Sequence, residues 1–250
     1  MSIPPRREFK YLLPPALLPA LRAQLRGVAD LDPHAGPDRT YLIRSLYLDT
    51  WDMRLYHANE REAPRRFKAR IRTYPGDPSA PVFAEIKHRD GDIIAKTRAS
   101  LPPDWQPILR GRVRGGSWEG PGFDEFMARM VRWDLRPVAL VQYRREAWAS
   151  AVDEYARVSI DFRVECRVQR DWSLSARDDW RPADSPLPTA TVGSIGVLEL
   201  KFADVVPRWM TALVQHLDLI RHSFSKYAYS MRALAEDHWM DYRRSEQAWA

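Results

Sequence analysis

The chain has 250 residues, of which 45% are hydrophobic and 29% are charged. A chain of this length and composition can bury a core of its own, which excludes a disordered chain and a small scaffold held by disulfides. Its 39 Lys and Arg outnumber its 33 Asp and Glu, and the net charge of +6 favours an anionic partner such as phosphate, nucleic acid or a membrane surface.

The cysteine and histidine content argues against a zinc or thiol site. Cys166 is the single cysteine, so a disulfide within the chain is excluded and a reducing cytosol is the expected compartment. The six histidines are scattered, without the spacing of a metal-binding pair. The first residues lack the apolar stretch of a signal peptide, and no run of apolar residues is long enough to span a membrane. We therefore expect a cytoplasmic chain with one domain over 1–250.

Apolar and polar residues alternate with a period of two through much of the chain, which predicts β-strands. Strands are predicted over 6–13, 43–49, 66–74, 82–89, 93–101, 138–149, 156–163, 164–171 and 195–203. Short connections between most of them favour antiparallel pairing. Helical periodicity predicts helices over 15–26, parts of 51–61 and 123–132, 207–220 and 224–240. This order is typical of an α+β fold and not of alternating β-α-β units.

One face of the predicted strands is rich in cations. In the strand 66–74, apolar residues alternate with the cations Arg66, Lys68, Arg70 and Arg72. Four other strands divide in the same way. A solvated polar face is the ordinary explanation for any one strand, but so many like charges on five strands favour a counter-ion among them. Because a barrel of about eight strands has room for a small ligand, we predict a cation-lined lumen that holds a polyanion and a divalent metal.

Nine short motifs occur in an order that resembles a known family. They are RREFKY (6–11), SLYLDT (45–50), RFKARIR (66–72), FAEIK (83–87), KTR (96–98), YRREA (143–147), RVSID (157–161), LELK (198–201) and FSKY (224–227). In this order and spacing, residues 6–232 resemble the VTC polyphosphate-polymerase domain, a branch of the triphosphate tunnel metalloenzymes that is related to the CYTH domains. The resemblance implies an α+β fold with a mainly antiparallel, closed β-barrel of about eight strands, which forms a tunnel, and flanking helices.

The first motif separates the branches of this superfamily. CYTH-type triphosphatases and cyclases begin with Glu-x-Glu-x-Lys, whereas this chain has Arg6 in place of the first Glu, followed by Glu8 and Lys10. The Arg-x-Glu-x-Lys-Tyr form and the later Ser-Lys-Tyr are similar to the VTC branch. The exchange removes a candidate metal ligand and adds a cation, which favours holding a long phosphate chain over binding a second metal.

The resemblance also implies roles for individual residues. The implied catalytic cations of the tunnel are Lys10, Arg70, Arg72, Lys87, Lys96, Arg145, Arg157, Lys201 and Lys226. Tyr143 and Ser225 correspond to residues that bind the substrate through hydrogen bonds. Glu199 corresponds to the family's metal-binding carboxylate. The implied cofactor is Mn²⁺ or Mg²⁺, which hard carboxylate oxygens suit.

Three further carboxylates lie on the cation-rich faces. Glu8 and Glu85 are candidate auxiliary metal ligands, although pairing with neighbouring Lys or Arg explains them equally well. Asp161 would either bind metal or orient Arg145 or Arg157.

The implied activity is metal-dependent transfer of the γ-phosphoryl group of ATP to the end of a growing inorganic polyphosphate. Two alternatives remain open: a triphosphatase that uses the same tunnel, and a sensor that binds polyphosphate without catalysis. Binding of nucleic acid is not expected, because Phe67, Phe162 and Phe202 lie opposite the cations. Docking to a separate membrane protein that receives the product, and the oligomeric state, are undecided by the sequence.

Overall fold

The computed structural model describes residues 2–76, 80–91, 93–111, 120–153, 155–184 and 195–235. Within these ranges the chain forms ten β-strands and six α-helices. The strands are β1 (Ser2–Leu13), β2 (Ala29–Leu31), β3 (Tyr41–Asp49), β4 (Arg65–Thr73), β5 (Val82–Asp90), β6 (Ile93–Leu101), β7 (Arg136–Ser150), β8 (Ala156–Val168), β9 (Arg181–Pro182) and β10 (Gly196–Phe202). The helices are α1 (Leu18–Leu25), α2 (Arg54–Glu60), α3 (Trp105–Leu109), α4 (Pro121–Trp133), α5 (Arg208–His216) and α6 (Lys226–Ala233).

All ten strands belong to one antiparallel sheet with the order β2-β7-β3-β4-β5-β6-β1-β10-β8-β9. The expected α+β fold with an antiparallel sheet and flanking helices is confirmed. The finer expectation, a closed barrel of about eight strands, is corrected to one sheet of ten strands, because β2 and β9 extend the order at its two ends. These strands have three and two residues, too few to show alternation in a sequence. An additional pairing joins β7 to β8, from Ala139 opposite Val168 to Ala149 opposite Arg157.

Strand β8 was predicted as two strands, 156–163 and 164–171, and this division is wrong. The strand continues from Ala156 to Val168, but its pairing with β7 shifts where Gln142 faces Glu165 and Arg144 faces Phe162. Arg163 has a φ of 49° at this point. Such a bulge shifts the alternation of side chains by one residue while the strand continues. The change of phase in the sequence therefore marks a bulge and not a turn.

The predicted helices are present with shorter bounds. The segment 15–26 is a 3₁₀ turn over Pro15–Leu17 that leads into α1. Helix α6 ends at Ala233, and the part of the predicted helix 224–240 beyond residue 235 lies outside the described residues. Helix α3 was not predicted, because its five residues form little more than one turn.

Two apolar clusters cover the outer side of the sheet. The first joins β4, β5 and β7 to α4 and α6, and it includes Ile71, Ile86, Leu140, Phe126 and Tyr227. The second joins β1, β8 and β10 to α1 and α5, and it includes Tyr11, Ile160, Leu200, Leu21 and Leu213. Burial of each large apolar side chain contributes about 1.5–3 kcal/mol to folding. Since side chains alternate along each strand, the opposite faces are directed towards the cavity described next.

Candidate active site

The strands surround a cavity of about 1260 Å³. Its lining comes from β1, β3, β4, β5, β6, β7, β8 and β10 and from the start of α6, and it contains twelve Lys and Arg against four Asp and Glu. The cations are Lys10, Lys68, Arg70, Arg72, Lys87, Lys96, Arg98, Arg144, Arg145, Arg157, Lys201 and Lys226. All nine predicted tunnel cations are therefore brought together, and Tyr143 and Ser225 line the same cavity. Their chemical roles stay predictions.

The lysines of this chain are confined to the cavity. The sequence contains six lysines, and each of them lines the cavity wall. Arginine supplies the other basic residues of the chain. Lysine carries a compact charge on a flexible stem and changes its pKa readily when buried, whereas arginine stays charged. The cavity therefore combines fixed charges with charges that respond to their surroundings.

Glu199 lies on β10 among four cations. Its Oε1 is 3.1 Å from Lys226 Nζ and 3.4 Å from Lys10 Nζ, and its Oε2 is 2.8 Å from Lys201 Nζ and 3.5 Å from Arg145 Nη2. The register explains this position, because Lys10 on β1 is the direct partner of Glu199. Burial alone would raise the pKa of Glu199, but the four cations outweigh burial and hold the pKa well below its usual value.

Glu8 on β1 forms a second group with Lys87. The two Glu8 oxygens are 3.1 and 2.9 Å from Lys87 Nζ, and Lys10 Nζ is 3.4 Å from Oε1. Burial would raise the pKa of Glu8, but Lys87, Lys10 and Lys201 lower it below its ordinary value. Burial lowers the pKa of Lys87 to about 8, even though Glu8 acts in the opposite direction. Both residues line the cavity.

Glu85 on β5 is fully buried and does not belong to the cavity lining. Its two oxygens accept hydrogen bonds from Arg70 Nε and Arg98 Nε at 2.8 Å each, and Lys96 Nζ is also in contact. Arg72 is within 3.9 Å. Because Glu85 is surrounded by cations and does not line the cavity, the pairing explanation fits it better than a role as metal ligand.

Asp161 on β8 likewise does not belong to the cavity lining. It is fully buried and binds Arg145 at two points, with 2.6 Å from Nε to Oδ1 and 2.7 Å from Nη2 to Oδ2, and Lys226 contacts the same carboxylate. Burial would raise the pKa of Asp161, but Arg145 and Lys226 lower it below its ordinary value. Of the roles considered for Asp161, this geometry favours orientation of Arg145.

Helix α6 brings Ser225 and Lys226 to the cavity. Ser225 caps the helix, and its Oγ accepts a hydrogen bond from Ala228 N at 3.1 Å. The next residue, Tyr227, is buried and donates a hydrogen bond to Asp49, which also accepts from Leu55 N at 2.9 Å. These contacts fix the start of the helix against β3 and α2.

Several cavity residues were absent from the predicted site. Lys68 Nζ is hydrogen-bonded to Ser225 Oγ at 2.7 Å, and Arg98 and Arg144 also line the wall. The alternation could have identified Lys68 and Arg98, because they share the parity of the predicted cations on their strands, whereas Arg144 does not. Arg157 lines the cavity but is exposed. The side chain of Arg6 lies outside the described part of the structure.

The cavity wall offers a divalent metal two carboxylates but no complete set of protein ligands. Among the described residues, no group of three or more His, Cys, Asp and Glu is placed to hold a metal ion. Mg²⁺ is commonly bound by one or two carboxylates together with phosphate oxygens of the substrate, and so needs no cage made by the protein alone. Glu199 and Glu8 both line the cavity and supply those carboxylates. Glu85 and Asp161, which do not line it, fit less well.

Within the described ranges, no helix has the length and apolar character needed to cross a membrane.

Solved structures similar to this chain include three that match most of its length, and the first of them supports the fold. A candidate adenylate cyclase from Bacillus halodurans superposes with a TM-score of 0.51 at 14% identity, over 88% of this chain and 93% of that one. A Pyrococcus horikoshii protein gives a TM-score of 0.45 at 12% identity, over 90% of this chain and 96% of its own. The mimivirus capping-enzyme triphosphatase gives 0.35 at 9% identity, over 86% and 88%.

Comparison of sequences shows the family. No curated protein matches this chain significantly. The VTC domain matches residues 5–235, which include every residue of the predicted site. The chain therefore belongs to the VTC domain family.

Proposed function

We propose that this chain transfers the γ-phosphoryl group of ATP to the end of a growing inorganic polyphosphate inside the cavity. The observation that carries the proposal is the excess of cations in the cavity lining, which contains twelve Lys and Arg against four Asp and Glu. These cations repel one another unless an anion of high charge density lies among them. Membership of the VTC family supports chemistry on polyphosphate or triphosphate.

The cations have two tasks in the overall reaction. The bond from the γ-phosphorus to ADP breaks, and a bond to a terminal oxygen of polyphosphate forms. Because the transition state of phosphoryl transfer is loose, catalysis consists mostly of aligning these oxygens and neutralising their charge. Arg70, Arg72 and Arg145 offer planar forks for phosphate oxygens, and the lysines offer mobile point charges. This mixture suits a chain that must be held and then moved along.

The buried carboxylates keep the arginines in place before substrate arrives. Glu85 accepts from Arg70 and Arg98, and Asp161 accepts from Arg145 at two points. Donors that are already oriented need no reorganisation during the reaction, which is the main source of electrostatic catalysis. The two carboxylates also reduce the mutual repulsion of the cations in the empty cavity.

A divalent ion, Mg²⁺ or Mn²⁺, would be held by Glu199 with help from Glu8. When bound, it supplies additional neutralisation of the charge on the phosphate oxygens. Glu199 and Glu8 otherwise pair with lysines. When these carboxylates bind the ion, their lysines would be released and could bind phosphate.

The test is to incubate the purified chain with ATP and Mn²⁺ and to separate the products on a gel. We expect ADP together with a ladder of polyphosphate. A matched pair of variants is Arg72→Ala, inside the cavity, and Arg136→Ala, on an exposed ion pair with Asp134. Only the first should stop ladder formation. Free phosphate without a ladder would identify a triphosphatase, and tight binding of polyphosphate without turnover would identify a sensor.

A further inference from the structure

Two aromatic side chains interrupt the cation-rich face of the cavity at the rim where β4 ends and β5 begins. Tyr74 follows the last residue of β4, and Phe83 is the second residue of β5. Both side chains are half-buried and line the cavity. Their ring centroids are 6.3 Å apart and the ring planes meet at 84°, which is an edge-to-face contact. We call Tyr74 and Phe83 the rim pair, and neither ring has a part in the reaction outlined above.

Phe83 lies on the face of β5 that is otherwise polar. It has the same parity as Glu85 and Lys87, which follow it on the strand. In the part of the chain that the structure describes, Phe83 belongs to neither of the two apolar clusters that cover the sheet. Large apolar side chains usually pack into a core. A ring that instead lines a cavity of cations indicates a contact with the ligand, because ligand pockets combine aromatic walls with a few polar groups.

Two of the cavity arginines adjoin the Phe83 ring. Arg72 on β4 is the direct cross-strand partner of Phe83. Arg98 on β6 stacks over Phe83, with 4.2 Å from its guanidinium carbon to the ring centroid, and its Nε donates a hydrogen bond to Glu85 at 2.8 Å. A ligand whose phosphates contact Arg72 and Arg98 would therefore place the group attached to those phosphates beside the rim pair.

Three other aromatic side chains of the lining are buried and already engaged. Tyr47, Tyr143 and Trp148 have exposed fractions of 3%, 1% and 4%. Tyr47 stacks on Tyr227 with 4.9 Å between ring centroids, and Trp148 Nε1 donates a hydrogen bond to Glu146 Oε1 at 3.0 Å. Rings held in this way have little surface to offer a ligand. The half-buried rings of the rim pair are better placed to stack on one.

We propose that the rim pair, Tyr74 and Phe83, binds the nucleoside of the phosphoryl donor by stacking on its base. This inference rests on the proposed function, because it requires a nucleoside triphosphate as the donor. It assigns the part of the cavity that distinguishes ATP from inorganic tripolyphosphate. A base has a π-face that stacks on aromatic side chains, whereas a phosphate chain has none. With the base at the rim, the triphosphate would extend past Arg72 and Arg98 into the interior of the cavity.

The experiment measures the binding of two probes to the full chain by calorimetry. One probe is adenosine 5′-(β,γ-imido)triphosphate, an ATP analogue that resists transfer of its γ-phosphoryl group, and the other is tripolyphosphate. Phe83→Leu keeps an apolar side chain beneath Arg98 but removes the aromatic face. We expect this change to weaken binding of the ATP analogue about tenfold, as is usual for the loss of one stacking partner of a base. The affinity for tripolyphosphate should stay unchanged, because tripolyphosphate has no base.

Further variants test the rim pair and control for folding. Tyr74→Leu should also weaken binding of the ATP analogue selectively. Phe83→Trp keeps an aromatic face and should keep the affinity for the analogue. Trp51→Ala changes an aromatic side chain that is 67% exposed and does not line the cavity, and it should alter neither affinity. Circular dichroism should give the same spectrum for every variant as for the unaltered chain.

The outcomes distinguish the inference from the proposed function. Unchanged affinity for the ATP analogue in both Phe83→Leu and Tyr74→Leu would overturn the inference and leave the proposed function intact. Equal weakening of both probes would also overturn it, because the ring would then serve only to hold Arg98. Selective loss of the analogue in Tyr155→Leu alone, at another half-buried ring of the lining, would overturn it by placing the base elsewhere. Failure of the unaltered chain to bind tripolyphosphate would contradict the proposed function, and the inference with it.

Discussion

Arg145 and Asp161 form a buried ion pair with two hydrogen bonds, 2.6 Å from Nε to Oδ1 and 2.7 Å from Nη2 to Oδ2. The arginine lines the cavity, whereas the buried aspartate does not. Glu85 stands in the same relationship to Arg70 and Arg98. Each carboxylate is the direct cross-strand partner of its arginines, so buried carboxylates on the cation-rich face hold the arginines that line the cavity.

Loss of a buried carboxylate should destabilise the protein. Asp161→Asn leaves Arg145 and Lys226 without their shared carboxylate, and removal of one partner of a buried pair costs about 3–5 kcal/mol. The exposed pair of Arg136 and Asp134 gives a matched control, since Asp134→Asn should change stability by less than about 1 kcal/mol. Urea unfolding measures both values. A loss below about 1 kcal/mol for Asp161→Asn would show that the pair does not stabilise the fold.

Glu199 and Lys201 should be required for turnover. Glu199→Gln removes the carboxylate expected to hold the metal, and Lys201→Ala removes a cation from the cavity wall. We expect each change to reduce the rate about 100-fold or more, as is usual for loss of one oriented charge at an active site. For Glu199→Gln, titration with Mn²⁺ should also show a higher requirement for metal. Rates within threefold of the unaltered chain would remove both residues from the site.

Binding of polyphosphate should take up protons. Lys87 has a pKa of about 8 in the free protein, so it loses its charge as the pH rises through about 8. A polyanion favours the charged form, and the affinity should therefore fall as the pH is raised from about 7 to 9. Lys87→Arg should flatten this dependence, because arginine stays charged. Calorimetry in buffers of different ionisation enthalpy measures the proton uptake directly. Release of protons on binding would contradict the prediction.

The confinement of lysine to the cavity allows a chemical test that needs no mutation. All six lysines line the cavity, so an amine-selective reagent should modify side chains in the site and inactivate the protein. Burial lowers the pKa of several of these amines, including Lys68 and Lys201, which increases their reactivity near neutral pH. Excess tripolyphosphate should protect them, as peptide mapping would show. Equal modification with and without tripolyphosphate would place the ligand elsewhere.

Sequence alternation predicts much of this site because a strand places every second residue on one face. The faces of β4, β8 and β10 follow directly from their sequences, and the nine predicted cations meet in one cavity. The alternation cannot detect β2 and β9, which are too short, and it misreads the bulge at Arg163 as the end of a strand.

Contacts between distant segments are beyond the reach of such patterns. Lys68 and Ser225 are 157 positions apart, and their contact depends on how α6 packs against the sheet. The sequence also gives no means of separating the carboxylates that line the cavity, Glu8 and Glu199, from those that are buried without lining it, Glu85 and Asp161. All four lie on cation-rich faces, and their depth is set by the tertiary packing.

The most direct test of the account is a crystal structure of the chain with tripolyphosphate. We predict a phosphate chain inside the cavity, with its oxygens within hydrogen-bonding distance of Arg70, Arg72 and Arg145. Tripolyphosphate bound to the outer surface, or a cavity without it at saturating concentration, would contradict the claim that these cations converge to bind a phosphate chain.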